Sequence, residues 1–164
     1  MNGAPQGVPL PDPHRSIEPL ALLDLGATRS RFVWLEEDAG FELPLGHDRI
    51  GGRALPEPLS PWAVEAAIQH IEDAITPWAR RAPRRGWLAV DARSLARLSG
   101  AGLEPVGVPA RWPADAVEQA YQRLALRASR AAAAGLADAA QDATVLILRE
   151  CLHHGGFEGL VPAP

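Results

Sequence analysis

The chain has 164 residues, a net charge of −4, sixteen arginines and no lysine. The absence of lysine excludes a phosphate-loop lysine, a Schiff-base lysine for pyridoxal phosphate or aldol chemistry, and the ATP-binding lysine of a protein kinase. The negative charge disfavours nucleic-acid binding, and the single cysteine excludes an intrachain disulfide and fits a reducing cytoplasm.

Residues 1–19 carry five prolines and no apolar run of signal-peptide length. Because proline cannot donate a backbone hydrogen bond, this composition predicts a disordered leader. Residues 20–164 have the length of a single domain that buries roughly two thirds of its unfolded surface. The sequence contains no run of about 18 apolar residues, so no membrane span is predicted.

Three runs after the leader predict an antiparallel meander. Residues 20–23 are apolar, as is the run 31–35 after its first residue, Arg31, and each run is followed by turn residues. Residues 41–45 alternate between apolar and polar, which is typical of a strand with one exposed face. Pro44 indicates that this strand lies at a sheet edge, where a homodimer or another protein partner could dock.

Apolar residues at helical spacing predict three main helices, at residues 61–76, 114–133 and 138–154. One or two central strands are expected between the first two helices, with a short helix through Leu95 and Leu98 that Asp91 is placed to cap. Residues 144–148 are compatible with a strand as well, but helix is favoured because no turn residue follows until Gly155. The elements together predict an α+β fold with a small, mainly antiparallel sheet begun by the N-terminal meander and covered by these helices.

The turn after the first predicted strand reads Asp24-Leu-Gly-Ala-Thr-Arg-Ser. It resembles the first phosphate-binding turn of the actin, sugar-kinase and Hsp70 superfamily, in which an Asp at the end of the first strand is followed by Gly and Thr. The resemblance implies that Asp24, Gly26 and Thr28 lie against nucleotide phosphate and that Asp24 acts through a metal ion. Arg29 and Arg31 follow closely and could supply positive charge to the same ligand.

The resemblance extends from Leu20 to Leu45 and includes the opening meander of that superfamily. The chain shows no second phosphate turn and no adenosine-binding motif of that superfamily, and it is too short for both of its lobes. An ordinary Asp-Gly hairpin turn is the alternative interpretation of the same residues.

Cys151, His153 and His154 form the densest group of metal-capable side chains. On a helix, Cys151 and His154 share a face, and Glu150 lies one turn before His154. The alternative is that Cys151 packs in the core while the histidines interact with the free carbonyl groups of the last helical turn. We favour this alternative, so no metal site is predicted.

Arg80, Arg81, Arg84 and Arg85 form the one basic cluster in the sequence. Such a cluster could bind a phosphate or carboxylate, but a solvated helix end is the more common explanation.

No complete catalytic constellation is recognisable, since none of the serines lies in a Gly-x-Ser-x-Gly sequence. The leading hypothesis is therefore a non-catalytic binding or accessory protein that acts through a cleft or an interface. The alternative is an enzyme or sensor that binds a small anion or a nucleotide phosphate at the turn from Asp24 to Thr28. The sequence identifies no cofactor.

Overall fold

The computed structural model describes residues 17–79, 86–130 and 138–164, which form six strands and four α-helices. The strands are β1 Pro19–Leu25, β2 Ser30–Trp34, β3 Ala39–Leu43, β4 Trp87–Val90, β5 Trp112–Pro113 and β6 Gly159–Pro162. The helices are α1 Pro61–Ala79, α2 Ala92–Gly100, α3 Ala114–Ser129 and α4 Ala139–Gly155. Residues 1–16 of the predicted leader and the arginine cluster at 80–85 lie outside these ranges. A single domain over residues 20–164 remains a prediction.

The six strands form one sheet in the order β3-β2-β1-β4-β6-β5. β1, β2 and β3 pair antiparallel as the predicted meander, and β3 lies at the edge, as Pro44 indicates. β4 is parallel to β1 and to β6, whereas β5 is antiparallel to β6. The sheet is therefore mixed, and the prediction of a mainly antiparallel sheet is wrong. The direction of β4 follows from α1, because a helical crossover brings the chain back parallel to β1.

The described chain has four helices, not the three main helices predicted. The fourth, α2, is the short helix expected after Asp91, and it begins at that N-cap, whose side chain accepts a hydrogen bond from the Ser94 N–H. Residues 144–148 lie inside α4. Nearly every residue in the middle of α4 is buried, so its apolar run lacks the one-sided pattern of a surface helix.

The helices form one layer against the sheet. β1, β4 and β6 lie side by side and parallel. The connection that leads to β4 and the connection from β4 to β6 therefore step in the same direction across the sheet. Crossovers of this kind are right-handed in nearly all proteins, which places the connecting helices on the same face. α4 is the central helix and contacts α1, α2 and α3. None of the described helices has both the length and the apolar character needed to cross a bilayer.

An aromatic cluster joins the meander to the helices. The rings of Phe32 on β2 and Trp78 on α1 are stacked, with centroids 3.9 Å apart and planes inclined by 6°. Trp34 packs its edge against Phe32 at 4.9 Å and lies 5.7 Å from Phe157, which follows α4. All four rings are buried, so this cluster holds β2, α1 and the C-terminal segment together.

Candidate functional site

The candidate site lies at the edge of the sheet where β1 and β4 end. These strands are parallel, so their carboxyl ends meet, with the β1–β2 turn (residues 26–29) after one and Asp91 after the other. In open sheets of this kind, ligands bind in the crevice beyond the carboxyl ends of the parallel strands. The turn that resembles a phosphate-binding turn therefore lies where a ligand is expected.

The β1–β2 turn is shaped by a glycine and presents free backbone donors. A Cβ on Gly26 would lie 2.2 Å from the carbonyl oxygen of Arg29, so the turn closes too tightly for any side chain there. Ala27 and Thr28 are exposed, and their N–H groups have no hydrogen-bond acceptor in the described part of the chain. Consecutive free N–H groups of this kind are suited to an anion.

Asp91 fixes the turn to the start of α2. One carboxylate oxygen accepts hydrogen bonds from the Leu25 N–H at 3.2 Å and from the Ser94 hydroxyl at 2.8 Å. The other accepts from the Ser94 N–H at 2.9 Å. The sequence predicts Asp91 as a helix cap, but its bond to β1 joins residues that are 66 positions apart. Asp91 therefore acts as a positioning residue for the turn.

The loop after β3 packs directly on the turn. The N–H of His47 donates to the Gly26 carbonyl at 3.1 Å, and the N–H of Asp48 donates to the Ala27 carbonyl at 2.8 Å. A Cβ on Gly46 would lie 2.3 Å and 2.4 Å from these two carbonyl oxygens. The close approach orients both carbonyls towards the loop, which leaves the N–H groups of the turn facing away from it.

Arg97 on α2 brings a positive charge to this loop. Its Nη2 lies 3.1 Å from His47 Nε2, and His47 Nδ1 lies 2.8 Å from Asp48 Oδ1. Because arginine can only donate, Nε2 must accept, and the ring proton therefore sits on Nδ1 and donates to Asp48. Arg97 forms no ion pair with a carboxylate of the described residues, and its Nη1 is buried without a hydrogen-bond partner there.

The five predicted ligand-binding residues lie on the turn and on the two strands that it joins. Gly26 and Thr28 form the turn itself, while Asp24 is exposed and lies opposite Arg31 in the β1–β2 register. Arg29 is exposed and lies 3.7 Å from Glu42. Ligand binding by these residues stays a prediction.

Sequence reasoning missed His47 and Arg97 as members of the site. Their contact joins residues 50 positions apart, so no local pattern reveals it. A weak signal exists on α2, where Ser94 and Arg97 follow Asp91 at intervals of three and so share a face with the cap.

The predicted position of Cys151 in the core agrees with the structure. Its side chain is fully buried, and burial, together with the charge of Glu150, raises the pKa of the thiol. His153 and His154 are exposed at the end of α4. The three side chains do not form a common ligand set among the described residues.

Cys151 should be inert in the folded protein, because a buried thiol with a raised pKa supplies no accessible thiolate. We expect a thiol-specific chromogenic reagent to release no measurable product from native protein at pH 8. The same reagent should titrate the one cysteine of the chain after unfolding in guanidinium. Rapid labelling of the native protein would contradict the burial of Cys151.

Comparison with known proteins gives structural relatives but no relatives by sequence. No protein family model and no curated protein match the sequence. The fold is similar to that of the Aquifex aeolicus PPX-GPPA enzyme, with a TM-score of 0.61 over 92% of this chain at 8% identity. A structure described as an exopolyphosphatase-like protein gives a TM-score of 0.59 over 92% of this chain at 13% identity. The chain spans 55% and 56% of the lengths of these two proteins.

These neighbours correct the leading functional hypothesis. A further solved structure with the same fold is described as an Aquifex aeolicus Ppx/GppA phosphatase, so the fold is one that enzymes acting on phosphate use. The hypothesis of a non-catalytic binding or accessory protein is therefore wrong. The alternative, phosphate binding at the turn from Asp24 to Thr28, agrees better with this fold. A homodimer or protein partner at the β3 edge has no support from the comparisons.

Proposed function

We propose that this chain binds a phosphorylated anion at the β1–β2 turn and belongs to an enzyme that cleaves phosphate esters or phosphoanhydrides. The observation that carries the proposal is the pair of N–H groups of the exposed residues Ala27 and Thr28, which find no acceptor among the described residues and lie at the carboxyl edge of the parallel strands. The names of the structural neighbours, which include phosphatases and an exopolyphosphatase-like protein, support the same class of ligand.

The turn is rigid before any ligand arrives, which favours anion binding. Asp91 holds its β1 side through the Leu25 N–H, and the loop at His47 and Asp48 holds its two carbonyls. Donors that are already oriented lose little entropy on binding, so most of their interaction energy contributes to affinity. The hydrogen-bond donors of bulk water are not fixed around a phosphate group in this way.

The charges near the turn support the same ligand. Arg97 is half-buried and unmatched by any carboxylate in the described ranges, so its positive charge is available to an anion. Asp48 and Asp91 are already engaged by His47 and by Ser94. Asp24 adds a negative charge at the same edge of the sheet. Its carboxylate would repel a bound phosphate unless a cation lies between the two groups.

The residues present fit the metal ion that the resemblance implies at Asp24. Its carboxylate is exposed and accepts no hydrogen bond from the described residues, whereas both oxygens of Asp91 are in use. One free carboxylate beside a phosphate site suits Mg²⁺, which keeps several waters and completes its shell with phosphate oxygens. Such an ion, when bound, would neutralise phosphate charge and polarise the phosphorus–oxygen bonds.

Replacing Arg97 with methionine should weaken phosphate binding by about 10-fold, because it removes a positive charge from the loop beside the turn, and a charge interaction of about 1.4 kcal/mol corresponds to tenfold in affinity. The ligands are tripolyphosphate and ATP, each with and without Mg²⁺, measured by calorimetry and by thermal shift. At a hundred times its dissociation constant, a ligand should add about 2.7 kcal/mol to the free energy of unfolding.

Arg93→Met is the matched control, since Arg93 is an exposed arginine on the same helix. It should bind as the unmodified chain does. Sodium sulfate at equal ionic strength controls for general salt effects. Absence of a shift with every phosphate, or an equal loss in both arginine variants, would contradict the proposal.

A further inference from the structure

A second cluster of potential ligands lies between α1 and α4, on elements that do not form the β1–β2 turn. It contains Glu72 of α1 with Glu150 and His154 of α4, and one donor atom from each side chain lies within 4.8 Å of the other two. Glu150 and His154 are four residues apart and share a face of α4. The packing of α1 on α4 brings Glu72 to that face from 82 positions away.

Glu150 is the unusual member of this cluster, because its carboxylate side chain is 0% exposed. One of its oxygens, Oε1, accepts a hydrogen bond from Arg149. The other, Oε2, has no hydrogen-bond partner in the described chain, although His154 Nε2 lies 3.4 Å from it. A buried carboxylate oxygen without a partner is costly, so the cluster favours a positive ligand at this point.

The surrounding charges are also unbalanced. Arg149 is the guanidinium at this site, and it pairs with two carboxylates, Glu118 at 2.9 Å and Glu150. Glu72 adds a third carboxylate, which the ring of His154 approaches to 3.1 Å. With the imidazole neutral, three negative charges face one positive charge among the described residues, and a divalent cation would restore neutrality.

Two of the three distances between donor atoms match a metal ion with protein ligands, and the third, between Glu72 and Glu150, is at most 4.8 Å. A tetrahedral ion with bonds of about 2.1 Å holds its donor atoms about 3.4 Å apart. His154 Nε2 lies 3.1 Å from Glu72 Oε1 and 3.4 Å from Glu150 Oε2. Glu72 and His154 are each about one third exposed, so an ion could enter and keep a water in a fourth position.

We propose that Glu72, Glu150 and His154 bind one divalent transition-metal ion of the zinc class. Imidazole nitrogen favours such ions over Mg²⁺ and Ca²⁺, which prefer oxygen ligands. The proposal differs from the sequence-based expectation, which was that there is no metal site, and from the group of metal-capable side chains considered there. Glu72 replaces Cys151 as a ligand, and His154, not His153, takes part. The competing explanation is an ion triad in which a protonated His154 bridges the two glutamates without metal.

Titration of the metal-stripped full chain with Zn²⁺ and Co²⁺ tests the proposal, using calorimetry for both ions and ligand-field absorption for Co²⁺. We expect one ion per chain, and Mg²⁺ in excess should not displace it. Glu72→Gln and His154→Gln should each weaken binding about 100-fold or more, since even residues that only support metal ligands cost 10- to 100-fold when changed. Both positions are partly exposed, so these variants should fold.

Two neighbouring exposed residues provide matched controls. His153→Gln changes the adjacent histidine, and Asp73→Asn changes the acid next to Glu72. Both should bind metal as the unmodified chain does. Failure of the unmodified chain to bind either ion would leave the ion triad as the explanation. Equal binding by the Glu72, His154 and control variants would also overturn the proposal.

Discussion

Replacement of Trp78 with alanine should lower the free energy of unfolding by about 3–5 kcal/mol, the usual cost of removing a large buried aromatic side chain. Trp78 is fully buried, stacks on Phe32 at 3.9 Å and meets the edge of Trp34 at 6.0 Å. The change would open a cavity between α1 and the meander. Unfolding in urea, followed by far-UV circular dichroism, measures the loss.

Two control variants separate the cavity from other effects. Trp62 is on the same helix but 77% exposed, so Trp62→Ala should change stability by less than about 0.5 kcal/mol. Trp78→Phe keeps a ring against Phe32 and removes the Nε1 donor of Trp78, which is buried without a partner in the described chain. It should cost clearly less than the alanine change. A loss below 1 kcal/mol for Trp78→Ala would contradict this packing.

The meander could be predicted because its signals are local. Apolar runs separated by turn residues give β1 and β2, and Pro44 correctly indicates an edge strand. The direction of β4 and β6 is not a local property, since the same short apolar run fits a parallel or an antiparallel neighbour. The mixed character of the sheet is set by the crossover connections, which a local pattern does not reveal. The prediction of a mainly antiparallel sheet was wrong for this reason.

The residues of the two candidate sites also divide into those with a local sequence signal and those without one. Gly26 and Thr28 were proposed from a short motif in one turn, and the spacing of Glu150 and His154 on one helix was noted, although no metal site was predicted. Arg97 and Glu72 were missed as site residues because each enters through a contact between distant elements. Glu72 in particular resembles any other acidic residue on a solvated helix face, and only the packing of α1 on α4 distinguishes it.

Replacement of Gly46 with alanine should abolish the phosphate-dependent thermal shift and lower the free energy of unfolding by about 3–5 kcal/mol. A Cβ at this position would lie 2.3–2.5 Å from backbone atoms of Gly26 and Ala27, and backbone cannot move aside as a flexible side chain does. The loop must withdraw, which breaks the hydrogen bonds from the N–H groups of His47 and Asp48. Each contributes about 1 kcal/mol, and overpacking adds a further 1–3 kcal/mol.

Gly40→Ala is the control for this change, because its Cβ would meet only the side chains of Arg31 and Val33 at 3.4 Å or more. It should leave stability within about 1 kcal/mol and preserve the ligand-dependent shift. The comparison tests whether the loop organises the turn, since both variants add one methyl group near the meander. A Gly46→Ala variant that retains the shift would show that the turn keeps its donors oriented without the loop. Phosphate binding would then depend on Asp91 and the turn alone.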